Sequence, residues 1–108
     1  MGLIQSLLWL VCGYVLLCLA FWLLSDTAIF VPPSPVKDEP SNSVFYEYAD
    51  KRFHAIHLKP TNPDAAYLLY SHGNAEDLNT SRAWLEWANS QGYGIFAYDY
   101  PGYGLSQG

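Results

Sequence analysis

Between Leu3 and Leu24 the sequence contains no charged residue and is rich in Leu, Val, Phe and Trp. As a helix rising about 1.5 Å per residue, such a run is long enough to cross the roughly 30 Å hydrocarbon core of a bilayer. Trp9 and Trp22 stand towards its two ends, where amphipathic rings anchor a span at the interface. A cleaved signal peptide is the alternative. It would begin with a basic segment and offer a small-x-small cleavage site. Here no Lys or Arg precedes the run, and Cys18-Leu19-Ala20 falls inside it. Residues 1–25 therefore read as a retained single-pass anchor. The first basic residue, Lys37, is flanked by Asp38 and Glu39, so no Lys/Arg asymmetry assigns a side of the membrane. Cys12 and Cys18 read as apolar helix residues, because positions six apart on a helix face differently and do not suit a disulfide.

Residues 26–43 read as a linker. Pro32, Pro33, Pro35 and Pro40 exclude a regular helix and favour extended backbone. The remaining segment, 44–108, has about 65 residues, a size at which surface-to-volume scaling leaves a core marginal. The formal net charge is -5, which excludes the basic footprint that nucleic-acid binding needs. His54, His57 and His72 are scattered without metal-ligand spacing, so neither a metal nor another cofactor is expected.

Within 44–108 the chain alternates strand and turn signals. Val44, Tyr46 and Tyr48 alternate with Phe45 and Glu47, Asp50-Lys51 suits a turn, and Phe53–Leu58 forms the second arm of a hairpin. His54 and His57 fall on opposite faces of that arm, and both read as surface residues. Ala66–Ser71 is a short apolar strand that ends abruptly in Ser71-His72-Gly73-Asn74-Ala75. Asn79, Thr80 and Ser81 are alternative N-caps for a helix that carries Trp84, Leu85 and Ala88 on one surface and ends near Gly92. Asp77 and Glu76 suit its positive end. Gly94–Asp99 is a fourth strand, closed by Pro101 and Gly102. Strand, helix and strand in this order imply a parallel pair.

The turn after the third strand has chemical content. Gly73 frees the backbone for angles closed to other residues, and the amides of Asn74 and Ala75 are then able to point outward at a developing oxyanion. His-Gly-Asn-Ala after one strand, followed by Asp-Tyr-Pro-Gly-Tyr-Gly-x-Ser-x-Gly after the next, resembles the front part of the α/β-hydrolase family. The likeness is to membrane-anchored serine hydrolases of the serine-aminopeptidase and lysophospholipase-like type. It covers roughly residues 28–108, and Ile29-Phe30-Val31-Pro32-Pro33 resembles the linker entry of those proteins. The resemblance implies an α/β fold: the N-terminal part of a hydrolase sheet, a β-hairpin then β-α-β, preceded by one transmembrane helix. It implies hydrolysis of an ester, thioester or amide, an acyl-type small-molecule substrate, and an oxyanion turn of His72, Gly73, Asn74 and Ala75, with His72 holding the turn by hydrogen bonds.

Gly104-Leu105-Ser106-Gln107-Gly108 matches Gly-x-Ser-x-Gly literally, which makes Ser106 a candidate nucleophile. Its surroundings do not suit an elbow, because Tyr100-Pro101-Gly102-Tyr103 is a loop rather than a strand running into the first glycine. In the resembling family the same loop comes after the fourth strand, the attacking serine comes one strand later, and the third strand lies between the fourth and a fifth. The expectation is thus a fragment that carries the oxyanion turn without the nucleophile, acid or His of the triad, and with its third strand left as an open edge. A membrane-anchored binding module, or a degenerate esterase using Ser106, are the alternatives.

Overall fold

The computed structural model describes residues 2–35 and 38–108; Lys37, the residue that bears on orientation, lies outside the described residues. The chain divides into two compact units, residues 1–31 and 32–108.

The first unit is α1, Leu3–Ile29, 27 residues. It is long and apolar enough to cross a membrane. It also runs past the boundary read from sequence: Ser25, Asp26 and Thr27 continue the helix, and the Phe30 N–H closes it on the Asp26 carbonyl at 2.9 Å. The helix ends there because Pro32 disfavours helical backbone at Val31. The Pro-rich linker therefore starts four residues later than Asp26.

The second unit is a mixed four-stranded sheet with one helix: β1 (Ser43–Tyr48), β2 (Lys51–Leu58), β3 (Tyr67–Ser71), α2 (Leu78–Ser90) and β4 (Gly94–Tyr98). The strand order is β1-β2-β4-β3. β1 and β2 pair antiparallel from Ser43↔Ile56 to Tyr48↔Lys51, and β2 pairs antiparallel with β4. β3 and β4 are parallel, from Tyr67↔Gly94 to Ser71↔Tyr98, as the strand–helix–strand pattern requires. β3 is one of the two outer strands. The hairpin turn is Ala49-Asp50 rather than Asp50-Lys51. Both residues have positive φ (49° and 60°), which matches the twist of a two-residue hairpin.

One face of the sheet packs on α2. Ile56, Ile95 and Ala97 meet Leu78, Leu85 and Ala88, with Leu58, Leu68 and Tyr70 against them. Trp84 is set beside this core, its ring 4.9 Å from that of Tyr70. The N-cap of α2 is Asp77, not Asn79, Thr80 or Ser81. The Thr80 N–H donates to Asp77 Oδ1 at 2.7 Å, and the Asp77 N–H donates to Thr80 Oγ1 at 2.9 Å. This reciprocal pair satisfies two helix-end amides at once. Gly92, with φ of 100°, stands just past the helix as expected.

Candidate active-site edge

Because β3 and β4 are parallel and end level at Ser71 and Tyr98, the loops after them leave the same edge of the sheet. The loops are tied together by aromatic hydroxyls. The Tyr100 hydroxyl donates to the His72 carbonyl at 2.7 Å, and the Tyr103 hydroxyl donates to Asn74 Oδ1 at 2.6 Å. His72 is buried between the rings of Tyr100 and Tyr103, at 4.1 and 5.3 Å.

The contacts of His72 fix its tautomer. Its Nδ1 lies 2.8 Å from the Gly73 carbonyl, which only accepts, so Nδ1 carries the proton. Its Nε2 lies 3.3 Å from the Tyr100 N–H, which only donates, so Nε2 is bare. The approach of Nε2 to Asp99 Oδ1, 3.5 Å, has no proton between the two atoms and is not an ion pair in this arrangement. His72 thus joins the first loop to the second as a neutral ring.

Gly73 differs from expectation. Its φ is not positive. Space does not require the glycine either, since a Cβ there would meet the Glu76 carboxylate at 3.4 Å, an ordinary contact. That carboxylate accepts the Gly73 N–H at 3.0 Å and the Tyr70 hydroxyl at 3.2 Å, while the Glu76 N–H closes the turn on the Gly73 carbonyl at 3.1 Å. Gly73, Asn74 and Ala75 are exposed, and the Ala75 N–H donates to no group among the described residues. An outward amide on a turn fixed from both sides is able to stabilise negative charge on a carbonyl oxygen.

Asp99, 1% exposed, organises the second loop. Its Oδ2 lies 2.6 Å from His54 Nδ1, and its Oδ1 accepts the Leu78 N–H at the start of α2 at 2.8 Å. Gly104, with φ of 51°, passes so close that a Cβ would overlap the Asp99 carboxylate. His54 is therefore not a surface residue. It is 1% exposed and points inward with Ile56, two residues on.

Ser106 is buried as well. Its hydroxyl donates to the Asp99 carbonyl at 3.0 Å and accepts the His54 N–H at 2.9 Å. Next to it, Gln107 pairs with Arg52 through its N–H (2.9 Å) and its Oε1 (2.8 Å). These bonds fasten the second loop to the start of β2. They leave Ser106 Oγ engaged as both donor and acceptor, the opposite of an exposed nucleophile.

The structure thus gathers His72, Gly73, Asn74 and Ala75 at one edge and places Ser106 in the polar interior behind them. His54 and the cap Asp77 are the structural residues that sequence reasoning missed. His54 shares the period-two face of Ile56 and Leu58, and that is the signal for its burial. Comparison with protein-family models, curated proteins and solved structures gives no match.

Proposed function

We propose that residues 32–108 form the oxyanion-turn portion of a serine hydrolase of the α/β-hydrolase type, acting on an ester, thioester or amide carbonyl, with α1 as its single-pass anchor. The observation that supports this reading most is the parallel β3–β4 pair, which sets His72–Ala75 and Tyr100–Gly108 side by side at one edge. In this reading the Ala75 N–H polarises the substrate carbonyl as charge builds on its oxygen, and His72 and Tyr103 keep the turn from relaxing. Such a donor is worth more once the bound substrate excludes water, because the local dielectric falls.

Ser106 does not attack, since its hydroxyl is held in two buried bonds. The attacking serine belongs to a further strand laid along the free edge of β3, ending in its own Gly-x-Ser-x-Gly turn. The nucleotide sequence downstream of Gly108, read in all three frames, tests this. A further apolar strand running into that pentapeptide is expected, with Asp or Glu and then His after it. Absence of the pattern from every frame overturns the reading. Where it is present, the polypeptide carrying it is expected to hydrolyse aryl esters, and Ala75→Pro, which deletes the donor, to slow it by about 100-fold or more.

A further inference from the structure

A second set of side chains runs from Asp99 through His54 of β2 to the first residue of β1. Ser43 begins β1, and its Oγ is 2.9 Å from His54 Nε2. The other ring nitrogen, His54 Nδ1, is 2.6 Å from Asp99 Oδ2. Serine, imidazole and carboxylate are thus connected in series through the two different nitrogens of one ring, both distances lying inside the reach that proton transfer needs. The inner two members are almost fully buried, at 2% and 1% side-chain exposure. The outer member is part-exposed, beside the exposed Ser41 and Asn42. We propose that Ser43 is an acyl-accepting serine, with His54 as its general base and Asp99 orienting that base.

Each hydrogen bond in the series has a consistent assignment. Asp99 only accepts, so His54 Nδ1 carries a proton. In the neutral tautomer that serves as a base, Nε2 is an acceptor, and the Ser43 hydroxyl is the only donor on it among the described residues. That hydroxyl also lies 2.8 Å from the Pro40 carbonyl, so its single proton has two possible acceptors. The Pro40 carbonyl already receives the Ser43 N–H at 3.3 Å and stays hydrogen-bonded when the hydroxyl turns to His54. The turn that presents the serine is held by Asn42 in the left-handed region, φ 72°, a conformation that Asn adopts more readily than most residues.

The position sets the substrate class. β1 and β3 are the outer strands of a four-stranded sheet, about 14 Å apart at the usual ~4.8 Å spacing. The Ala75 amide therefore cannot serve an oxyanion at Ser43. Without that assistance the serine suits carbonyl groups carrying a good leaving group, such as aryl esters. Oγ bonds to the carbonyl carbon as its proton passes to His54 Nε2. The carbon–oxygen bond to the leaving group breaks, and the departing phenolate takes that proton. Water repeats the sequence on the acyl-serine, giving the free acid and the original hydroxyl, so the sum is ester plus water to acid plus phenol.

The test uses the full chain in detergent micelles and a fluorophosphonate probe, with the labelled residue mapped by peptide mass spectrometry. Labelling at Ser43 is expected, lost in Ser43→Ala and slowed about 100-fold or more in His54→Gln. Near-ultraviolet circular dichroism identifies any variant that has merely lost its fold. Should His54→Gln unfold, the wild-type map still decides. No label on Ser43 in the folded wild type overturns the proposal, as does equal labelling of Ser41 and Ser43. A folded His54→Gln that labels at the wild-type rate also overturns it.

Discussion

At the scale of single residues, Asp99 determines what its neighbours do. It is buried, and its two carboxylate oxygens face His54 and the first amide of α2. Ser106 depends on the same residue through its backbone carbonyl. The Ser106 hydroxyl is therefore a structural joint, and Ser106→Ala leaves the His54 N–H and the Asp99 carbonyl without it. The expected cost is about 1–3 kcal/mol, read by chemical denaturation of the full chain in micelles. A stability unchanged within about 0.5 kcal/mol contradicts the joint.

Part of this is legible in the sequence. The misfit between Tyr100–Tyr103 and an elbow strand argues against Ser106 without any coordinates, and the His72–Ala75 turn is readable from its abrupt change of residue type. The bond between His54 and Asp99 is not. Partners separated by 45 positions leave no local pattern, and a histidine near the start of a strand reads as surface unless the face it shares with Ile56 is counted.

At the scale of elements, α2 shows which features local chemistry fixes and which it leaves open. The helix, its apolar face and its Gly92 stop follow from period and punctuation. The start does not, because Asp77, Asn79, Thr80 and Ser81 all have side-chain oxygens able to cap. The choice falls on Asp77 because Thr80 stands three residues later and returns the bond. Asp77→Ala is expected to lower stability by about 1 kcal/mol, and Asp77→Asn by much less, since Asn caps comparably. Denaturation midpoints of the two variants, measured side by side, check the order. The hairpin turn lies one residue ahead of its sequence signal for a related reason. Ala49 carries no turn signal, yet the two-residue geometry puts it in the left-handed region with Asp50.

At the scale of the whole molecule, two features are readable from the sequence: the uncharged N-terminal run and the parallel character of β3 and β4. Composition decides the first and the order of elements the second. The full sheet order β1-β2-β4-β3 is not readable from the sequence, because pairing across the sheet depends on contacts that no local segment encodes. The proposed anchor role of α1 has a direct test. Leu16 lies at the middle of the helix, and Leu16→Arg places a charge where insertion costs roughly 2.5–3.5 kcal/mol. The wild-type chain is expected to stay with membranes through alkaline carbonate extraction and the variant to be released. Release of the wild type as well contradicts an anchor.

The shared attachment at Asp99 has a consequence for motion. His54 lies in β2, Leu78 starts α2 and Ser106 belongs to the loop after β4, and all three hold on to one residue. None of them is able to breathe alone without baring that carboxylate or its carbonyl to water. Strand, helix start and loop are therefore expected to open together, with their amides exchanging hydrogen at a common rate, and the His72 ring rests against the same loop.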